Sequence, residues 1–352
     1  MIPDRIKRSM IREFRTSRMA QVGLIIVLLL FVTATIAPIL APHNPDTQRV
    51  SSDPELDMTD MPPIGFSYTT ERVTPQGTAT VEYEATWEFP LGTNTRGQDI
   101  LSRLIYGARV SMLVGLIGAG LATLMGVPYG LASGYFGGKI DDALMRGADV
   151  MLAFPSLVLA IALVGVFRDT DFHTTEMLDP IVWAVQSDVV PNVLIPRAEH
   201  VATMPETTTF PVTVTLVVAL VNWVWFARVA RGEAISIRSE AYVKAARSVG
   251  ASDLTILRRH VFPNSLTPII VLATIQVAAI ILLESALSFL GFSGTDLTWG
   301  QDVARGRGDQ RTQWWIATMP GIAIVIAVVG VNLLGDWLRD ALDPSIEGEG
   351  GV

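Results

Sequence analysis

The chain has 352 residues, of which 50% are hydrophobic and 17% are charged, and its mean hydropathy is +0.42. So apolar a composition excludes an ordinary soluble domain and favours an integral membrane protein. The absence of cysteine excludes disulfides, thiolate metal sites and cysteine nucleophiles, and the four histidines are not spaced as metal ligands. The net charge is −8, yet arginines cluster at particular places, so the acidic residues must be concentrated elsewhere.

The first predicted element is a membrane span over residues 19–42, which contain no charged side chain. The stretch is long enough to cross a hydrocarbon layer of about 30 Å. It follows a basic segment at 1–18, which predicts a cytoplasmic N-terminus. The apolar run is longer than that of a typical signal peptide, and no convincing cleavage site follows, so we interpret it as an uncleaved span.

Residues 43–107 are polar and acidic, which predicts an extracytoplasmic loop. Within the loop, polar and apolar residues alternate over 78–89, directly after a Pro-Gln-Gly turn. Alternation with a period of two next to a turn predicts a small β-hairpin outside the membrane.

A five-helix core is predicted over residues 108–340. Its first span, at 110–136, carries a small residue at every fourth position from Gly118 to Gly138, a stripe that favours close packing inside the bundle over a subunit interface. The next span begins near Leu144 and contains Pro155. Arg146 and Asp149 lie one turn apart near its entry, where they are predicted either to pair with each other or to face a pathway.

The remaining spans are predicted at 210–226, 261–283 and 314–334. A second acidic excursion, the insertion at 168–208, is expected to hold a surface or re-entrant helix, and 341–352 is expected to be a cytoplasmic tail. The fold class is therefore an all-α polytopic membrane protein with six transmembrane helices, both termini in the cytoplasm and two enlarged outer loops.

Residues 228–264, the coupling loop, are polar and arginine-rich between apolar segments. Two short amphipathic helices are predicted, the first capped by Ser239 and the second by Ser252 or Asp253, with Gly250 ending the first in a left-handed conformation. Small side chains at 245, 246 and 250 would let another backbone approach closely. The loop therefore resembles a docking surface.

No catalytic site or cofactor site can be recognised. The nearest approach to a phosphate-binding loop, at 138–140, has Ser133 in place of the first glycine and Ile140 in place of the hydroxyl residue. Glu284, at the outer end of the fifth span, is predicted either to line a pathway or to be buried against a neighbouring element.

The coupling loop also resembles a known family. Lys-Ala-Ala-Arg-Ser-Val-Gly at 244–250, followed after nine residues by His-Val-Phe-Pro, is similar to the Glu-Ala-Ala loop of ABC importer permeases. Lys244, His260 and Phe262 depart from the general pattern in the way of the dipeptide, oligopeptide and nickel branch. The segments at 90–111, 145–157, 284–291 and 332–344 are similar, in order, to the C-type subunit of that branch.

The resemblance implies a permease that pairs with a homologous second permease, two cytoplasmic ATP-binding subunits and an extracytoplasmic substrate-binding protein, surrounded by membrane lipid and without nucleic acid. It implies a transport subunit in the cell membrane rather than an enzyme, because ATP would be hydrolysed in the separate subunits. Short peptides are the expected cargo, with nickel chelates or other small solutes as alternatives. The residues expected to couple to the ATPase are Tyr242, Ala245, Ala246, Arg247, Gly250, Ala251 and Pro263.

Within that set, Ala245, Ala246 and Gly250 are expected to touch the ATPase, and Tyr242 and Val249 to anchor the helix beneath the bundle. Arg247 is expected to pair with ATPase acids or to face solvent or lipid headgroups. Residues 45–88 and 168–208 exceed the family's usual outer loops, and they either shape a docking site or serve as acidic decoration. Two rival functions are a stand-alone channel or secondary transporter, and a membrane scaffold.

Overall fold

The computed structural model describes residues 14–51, 57–74, 77–167, 173–187, 189–191, 194–308 and 311–342. Within these ranges the chain forms a helical bundle with two small antiparallel sheets. The helices are α1 (Arg18–Thr35), α2 (Ala37–Leu40), α3 (Ile100–Phe136), α4 (Gly138–Leu152), α5 (Ser156–Phe167), α6 (Pro180–Gln186), α7 (Ala198–Val201), α8 (Val212–Arg238), α9 (Ala241–Ser248), α10 (Asp253–Ile256), α11 (Phe262–Phe289), α12 (Trp299–Arg305) and α13 (Trp315–Leu342). The strands are β1 (Ser67–Thr74), β2 (Gly77–Glu84), β3 (Thr175–Leu178) and β4 (Thr207–Phe210).

Five helical segments are long and apolar enough to cross a membrane, namely α1, α3, α8, α10 continued into α11, and α13. The pair α4 and α5 makes a sixth when it is counted as one span, although the two helices are bent by 87° at the break that contains Pro155. The 12 residues of α5 would reach only about 18 Å at 1.5 Å per residue. The described residues therefore contain five candidate spans, and the predicted six only when the bent pair is counted as one.

Several helices extend beyond their apolar stretches. α3 begins at residue 100 rather than 110, because the Asp99 carboxylate accepts hydrogen bonds from the backbone N–H groups of Leu101 and Ser102 at 3.2 and 3.1 Å. α8 continues to Arg238 and α13 to Leu342, past their predicted ends at 226 and 334. Hydropathy identifies only the part of a helix whose side chains are apolar enough for lipid. The helix itself continues for as long as its backbone N–H and C=O groups form hydrogen bonds.

The small-residue stripe of α3 packs inside the chain, against α8. A Cβ atom at Gly126 would overlap the carbonyl oxygen of Trp223, and one at Gly130 would overlap that of Ala227. The predicted internal packing is confirmed, except that Gly138 lies outside the stripe, with open space around its Cβ position. Gly137, with φ +68°, has already ended α3 at that point.

The two chain ends of the bundle lie together because α1 packs against α13. A Cβ atom at Gly23 would lie 2.8 Å from the Cβ atom of Leu333, and the rings of Phe14 and Trp337 are 5.4 Å apart. The opposite face of α1 exposes large apolar side chains, as a lipid-facing helix does. Residues before 14 and after 342, which include most of the predicted basic segment and the tail, lie outside the described residues.

The predicted hairpin is confirmed. β1 and β2 pair antiparallel from Ser67 opposite Glu84 to Thr74 opposite Gly77, although residues 75 and 76 of the predicted turn lie outside the described residues. The rings of Tyr68 and Tyr83 stack at 5.0 Å, and Tyr68 also packs against Trp315 at 5.5 Å. These rings attach the hairpin to the beginning of α13.

The described part of the insertion at 168–208 packs against the end of α3 near Tyr106. β3 pairs with β4, and α6 has seven residues, which is too short for a span and fits the predicted surface or re-entrant helix. Val182 and Val201 are fully buried in a cluster with Tyr106, and the buried carboxylate of Asp179 forms an ion pair with Arg109. This packing gives the insertion a structural role that neither decoration nor docking had included.

Candidate functional site

The coupling loop forms two short helices at one end of the bundle, beneath α3 and α8. Val243 of α9, only 1% exposed, packs into an apolar cluster with Ile237, Ile256 and Val261. Val249 is 85% exposed and so does not anchor the helix, whereas Tyr242 is 43% exposed and its ring lies 6.0 Å from that of His260. One-residue shifts in an eight-residue helix decide which side chain faces the bundle.

The opposite face of the loop is open and contains small residues. Ala245 and Gly250 are exposed, whereas Ala246 and Ala251 are partly buried against the apolar cluster under Val243. The predicted contact set therefore divides, with Ala245 and Gly250 facing away from the bundle and Ala246 at its edge. Gly250 has φ +85°, as predicted for the residue that ends α9, and its Cβ position faces open space.

Capping follows the prediction in one helix and departs from it in the other. Ser252 caps α10, since its hydroxyl accepts a hydrogen bond from the backbone N–H of Thr255 at 3.4 Å. Ser239 instead ends α8, and Glu240 holds the N-cap position of α9 without a side-chain cap. Pro263 is the second residue of α11, and the helix reaches it without a break from the π-helical turn at Leu257–Val261, so its missing N–H interrupts the backbone hydrogen bonds at this junction.

Most arginines of the first half of the loop are used inside the chain. Arg231 forms two hydrogen bonds with the Asp141 carboxylate at 2.6 and 2.7 Å. Arg228 contacts Asp149 at 2.7 Å, so Asp149 pairs across to α8 rather than with Arg146 as predicted. These bonds fix α4 to the second half of α8.

Two arginines hold the inner end of α3. Arg238 donates to the carbonyl oxygens of Gly134 and Tyr135 at 2.9 and 3.3 Å. Arg247 donates to the Tyr135 hydroxyl at 2.9 Å, and that hydroxyl donates to the Asp253 carboxylate at 2.6 Å. The hydrogen bond that Arg247 donates to the Tyr135 hydroxyl oxygen raises the pKa of Arg247. Arg247 therefore already has partners within the chain, which the sequence did not reveal.

Glu284 is fully buried between α11 and α3. Its carboxylate accepts hydrogen bonds from Ser288 at 2.6 Å, Ser111 at 3.2 Å and Ser285 at 3.4 Å. Of the two predicted roles, burial against a neighbouring helix is the one that matches these contacts. Three hydroxyl donors compensate part of the cost of burying a carboxyl group.

An outer network of buried charges was missed by the sequence. Arg103 of α3 contacts Asp302 of α12 at 2.8 Å, and Arg305 contacts Asp302 and Asp296 at 3.1 Å each. Burial and the nearby charge of Arg103 lower the pKa of Arg305. The network fixes α12 over the outer ends of α3 and α11. The sequence signal that could have indicated this network is Arg103, a charged residue among the apolar residues at the start of α3.

Comparison with known proteins gives consistent matches over nearly the whole chain. The family described as "binding-protein-dependent transport system inner membrane component" matches residues 126–348, and the N-terminal transmembrane domain of oligopeptide transport permease C matches residues 7–63. A putative peptide transport system permease protein of Brucella suis biovar 1 (strain 1330) is 32% identical over 96% of this chain and 92% of its own length. A probable D,D-dipeptide transport system permease protein of Escherichia coli (strain K12) is 33% identical over 73% and 74% of the two chains.

Among solved structures, a chain of the MetNI methionine ABC transporter in an inward-facing conformation is similar. Its identity is 15%, its TM-score is 0.43, and the match covers 68% of this chain and 96% of that one.

Proposed function

We propose that this chain imports short peptides and that ATP hydrolysis drives it through α9 and α10. The premise is that the chain belongs to the family of binding-protein-dependent transport inner membrane components and is a multi-pass permease subunit of an ABC importer. The observation that carries the coupling role is the division of this helix pair into two faces. Val243 and Ile256 anchor it in the bundle, while Ala245, Val249 and Gly250 face away from the bundle.

The exposed face has the chemistry of a docking surface. Leu254, Val249 and Tyr242 are 75%, 85% and 43% exposed. Exposed apolar side chains of this size at one end of a bundle suit an apolar groove on another protein. Lys244, Arg258 and Arg259 of the same loop are also exposed, so the groove should have an acidic rim.

We place this face in the cytoplasm. Phe14 packs against Trp337, so the start of α1 and the end of α13 lie on one side, and the basic charge of the N-terminal sequence assigns that side to the cytoplasm. With the bent pair counted as one span, we assign the coupling loop to the same side and the two acidic segments to the other. We keep as a proposal the predicted division into a permease core at 108–340 and a coupling loop at 228–264, although α8 extends to Arg238 and α13 to Leu342.

Coupling then requires a bundle with two states, inward-open and outward-open, that differ in the position of the inner helix ends. ATP-driven closure of the two ATPase subunits moves the grooves that hold α9, and α9 moves the ends of α8 and α11 that flank it. Nucleotide shifts the population because it binds one arrangement better than the other. A homologous second permease completes the pathway, and an extracytoplasmic binding protein delivers the cargo.

Bulk added to the exposed face of α9 tests the coupling role. Gly250→Trp and Ala245→Trp should assemble in the membrane normally but abolish substrate-stimulated ATP hydrolysis by the whole complex. Ala245→Trp adds its bulk without backbone strain, because Ala245 lies inside a helix, and Gly250→Asn is the matched control that tolerates a left-handed conformation. Normal stimulated hydrolysis in both tryptophan variants would overturn the assignment.

The peptide cargo is supported by the relatives, which are peptide permeases by name. Uptake of a labelled dipeptide by the reconstituted complex, dependent on ATP and on the binding protein, tests it. Uptake by this chain alone in liposomes without ATP would instead favour the channel or secondary transporter.

A further inference from the structure

One phenol connects α3 to both helices of the coupling loop. The hydroxyl of Tyr135, the last residue but one of α3, accepts a hydrogen bond from Arg247 at the end of α9 and donates one to Asp253 at the start of α10. The Arg247 guanidinium also lies over the Tyr135 ring, 5.4 Å from its centroid, and 3.8 Å from the Asp253 carboxylate. Three side chains therefore join three helices at one point.

This junction reaches a span that the chain itself does not connect to the loop. In sequence, the coupling loop continues only into α8 and α11, while Tyr135 lies 112 residues before Arg247 and 118 before Asp253. α3 is the helix that packs backbone to backbone along α8 through Gly126 and Gly130. Movement of its inner end would therefore be shared with the centre of the bundle.

The position of the junction explains why several contacts are needed there. Tyr135, Arg247 and Asp253 line an open cleft of about 680 Å³, together with Arg238. A single exposed hydrogen bond would compete with water and contribute little. The ring of Tyr135 is buried, and Arg238 holds the last carbonyl groups of α3, so the hydroxyl has a fixed position.

We propose that Tyr135 is a positioning residue that transmits the movement of α9 and α10 directly to α3. The proposal rests on the proposed coupling function and adds a second route to the covalent one through α8 and α11. It predicts that α3 and α9 move as one body when the ATPase subunits close. Without the hydroxyl, α9 moves but α3 follows incompletely.

The direct test removes only the oxygen atom. Tyr135→Phe keeps the buried ring and its contact with Arg247, and we expect the assembled complex to transport about fivefold less peptide per ATP hydrolysed, at the lower end of typical coupling energies. Tyr129→Phe is the matched control, because its hydroxyl, also on α3, donates at 2.6 Å to the carbonyl oxygen of Leu144 and not to the coupling loop. An unchanged ratio in Tyr135→Phe, or an equal loss in Tyr129→Phe, would overturn the proposal.

A distance measurement tests the movement itself, and this chain has no native cysteine that would take up a label. Spin labels at Phe136→Cys and Ser248→Cys report the separation of α3 and α9 in the assembled complex. The separation should be the same with and without ATP in the otherwise native chain and should change with ATP when Tyr135→Phe is added. A change with ATP in the otherwise native chain contradicts the proposal, as does an unchanged separation in the variant.

Failure of this junction can be told apart from failure of the coupling role. If α9 does not meet the ATPase, Ala245→Trp keeps normal stimulated hydrolysis. If only the junction is wrong, Ala245→Trp abolishes stimulated hydrolysis while Tyr135→Phe transports normally.

Discussion

The guanidinium of Arg103 and the carboxylate of Asp302 lie 2.8 Å apart although 199 residues separate them in the chain. Arg103 also donates to the carbonyl oxygen of Pro45 at 3.2 Å and is 1% exposed. One side chain thus joins the first outer loop, the start of α3 and α12. The outer surface of this permease is consequently fixed by buried charge rather than by apolar packing alone.

Removal of Arg103 should weaken the pairing of Asp302 and take a donor from the carbonyl oxygen of Pro45. We expect Arg103→Ala to destabilise the chain by about 1–3 kcal/mol, because the buried Asp302 carboxylate loses one of its two cationic partners among the described residues and keeps Arg305. Thermal unfolding of the detergent-solubilised protein measures the change. Arg96→Ala is the control, since its pairing with Asp296 at 3.8 Å is solvent-exposed and should contribute less than about 1 kcal/mol. Equal shifts in the two variants would refute a special role for Arg103.

The contact between α3 and α8 makes a second prediction. A Cβ atom at Gly130 would overlap the backbone of Ala227, so Gly130→Ala should force the helices apart and cost about 1–3 kcal/mol. Gly120, on the same helix, has open space at its Cβ position. Gly120→Ala should therefore be neutral or stabilising by up to about 1 kcal/mol. The unfolding midpoints of the two variants test this prediction. An equal loss of stability in both would mean that the overlap at Gly130 adds no cost of its own.

Features set by neighbouring residues could be predicted from the sequence. The left-handed stop at Gly250, the cap at Ser252 and the pairing of β1 with β2 depend on local conformation, and the sequence shows such features directly. The spans could be located because the thickness of the membrane sets the length of each apolar segment. The helices α3 and α8 nevertheless extend beyond their apolar segments.

Features set by helix crossing could not be predicted. Asp149 is four residues short of a break and 79 residues from its partner Arg228, so the nearer Arg146 looked like the better partner. Arg247 was expected to pair with ATPase acids or to face solvent or lipid headgroups, because its bond with Tyr135 depends on where α3 ends. Whether Val243 or Val249 anchors the loop depends on how α9 is rotated about its axis. Its alanines can face either the bundle or solvent, so they do not indicate the rotation.

The role of Glu284 can be separated from that of a pathway residue by an isosteric change. Glu284→Gln keeps oxygen and nitrogen atoms within reach of Ser111, Ser285 and Ser288, so we expect normal stability and normal peptide transport. Glu284→Ala should cost about 1–3 kcal/mol, because hydroxyl groups are then buried without partners. Both are checked by unfolding and by ATP-dependent uptake. Loss of transport in a stable Glu284→Gln variant would show that the charge itself serves the pathway.

The two valines of the coupling loop should respond oppositely to the same change. Val243→Asp places a carboxylate in the apolar cluster with Ile256, so we expect a loss above about 3 kcal/mol and little assembled complex. Val249→Asp changes an exposed residue and should alter stability by less than about 0.5 kcal/mol. It should nevertheless lower substrate-stimulated ATP hydrolysis, because the new charge meets the apolar groove and its acidic rim on the ATPase. Unfolding and stimulated hydrolysis measured on both variants test the division of the loop into an anchored face and a docking face. If Val249→Asp hydrolyses ATP normally, the exposed apolar face does not meet the ATPase at that residue.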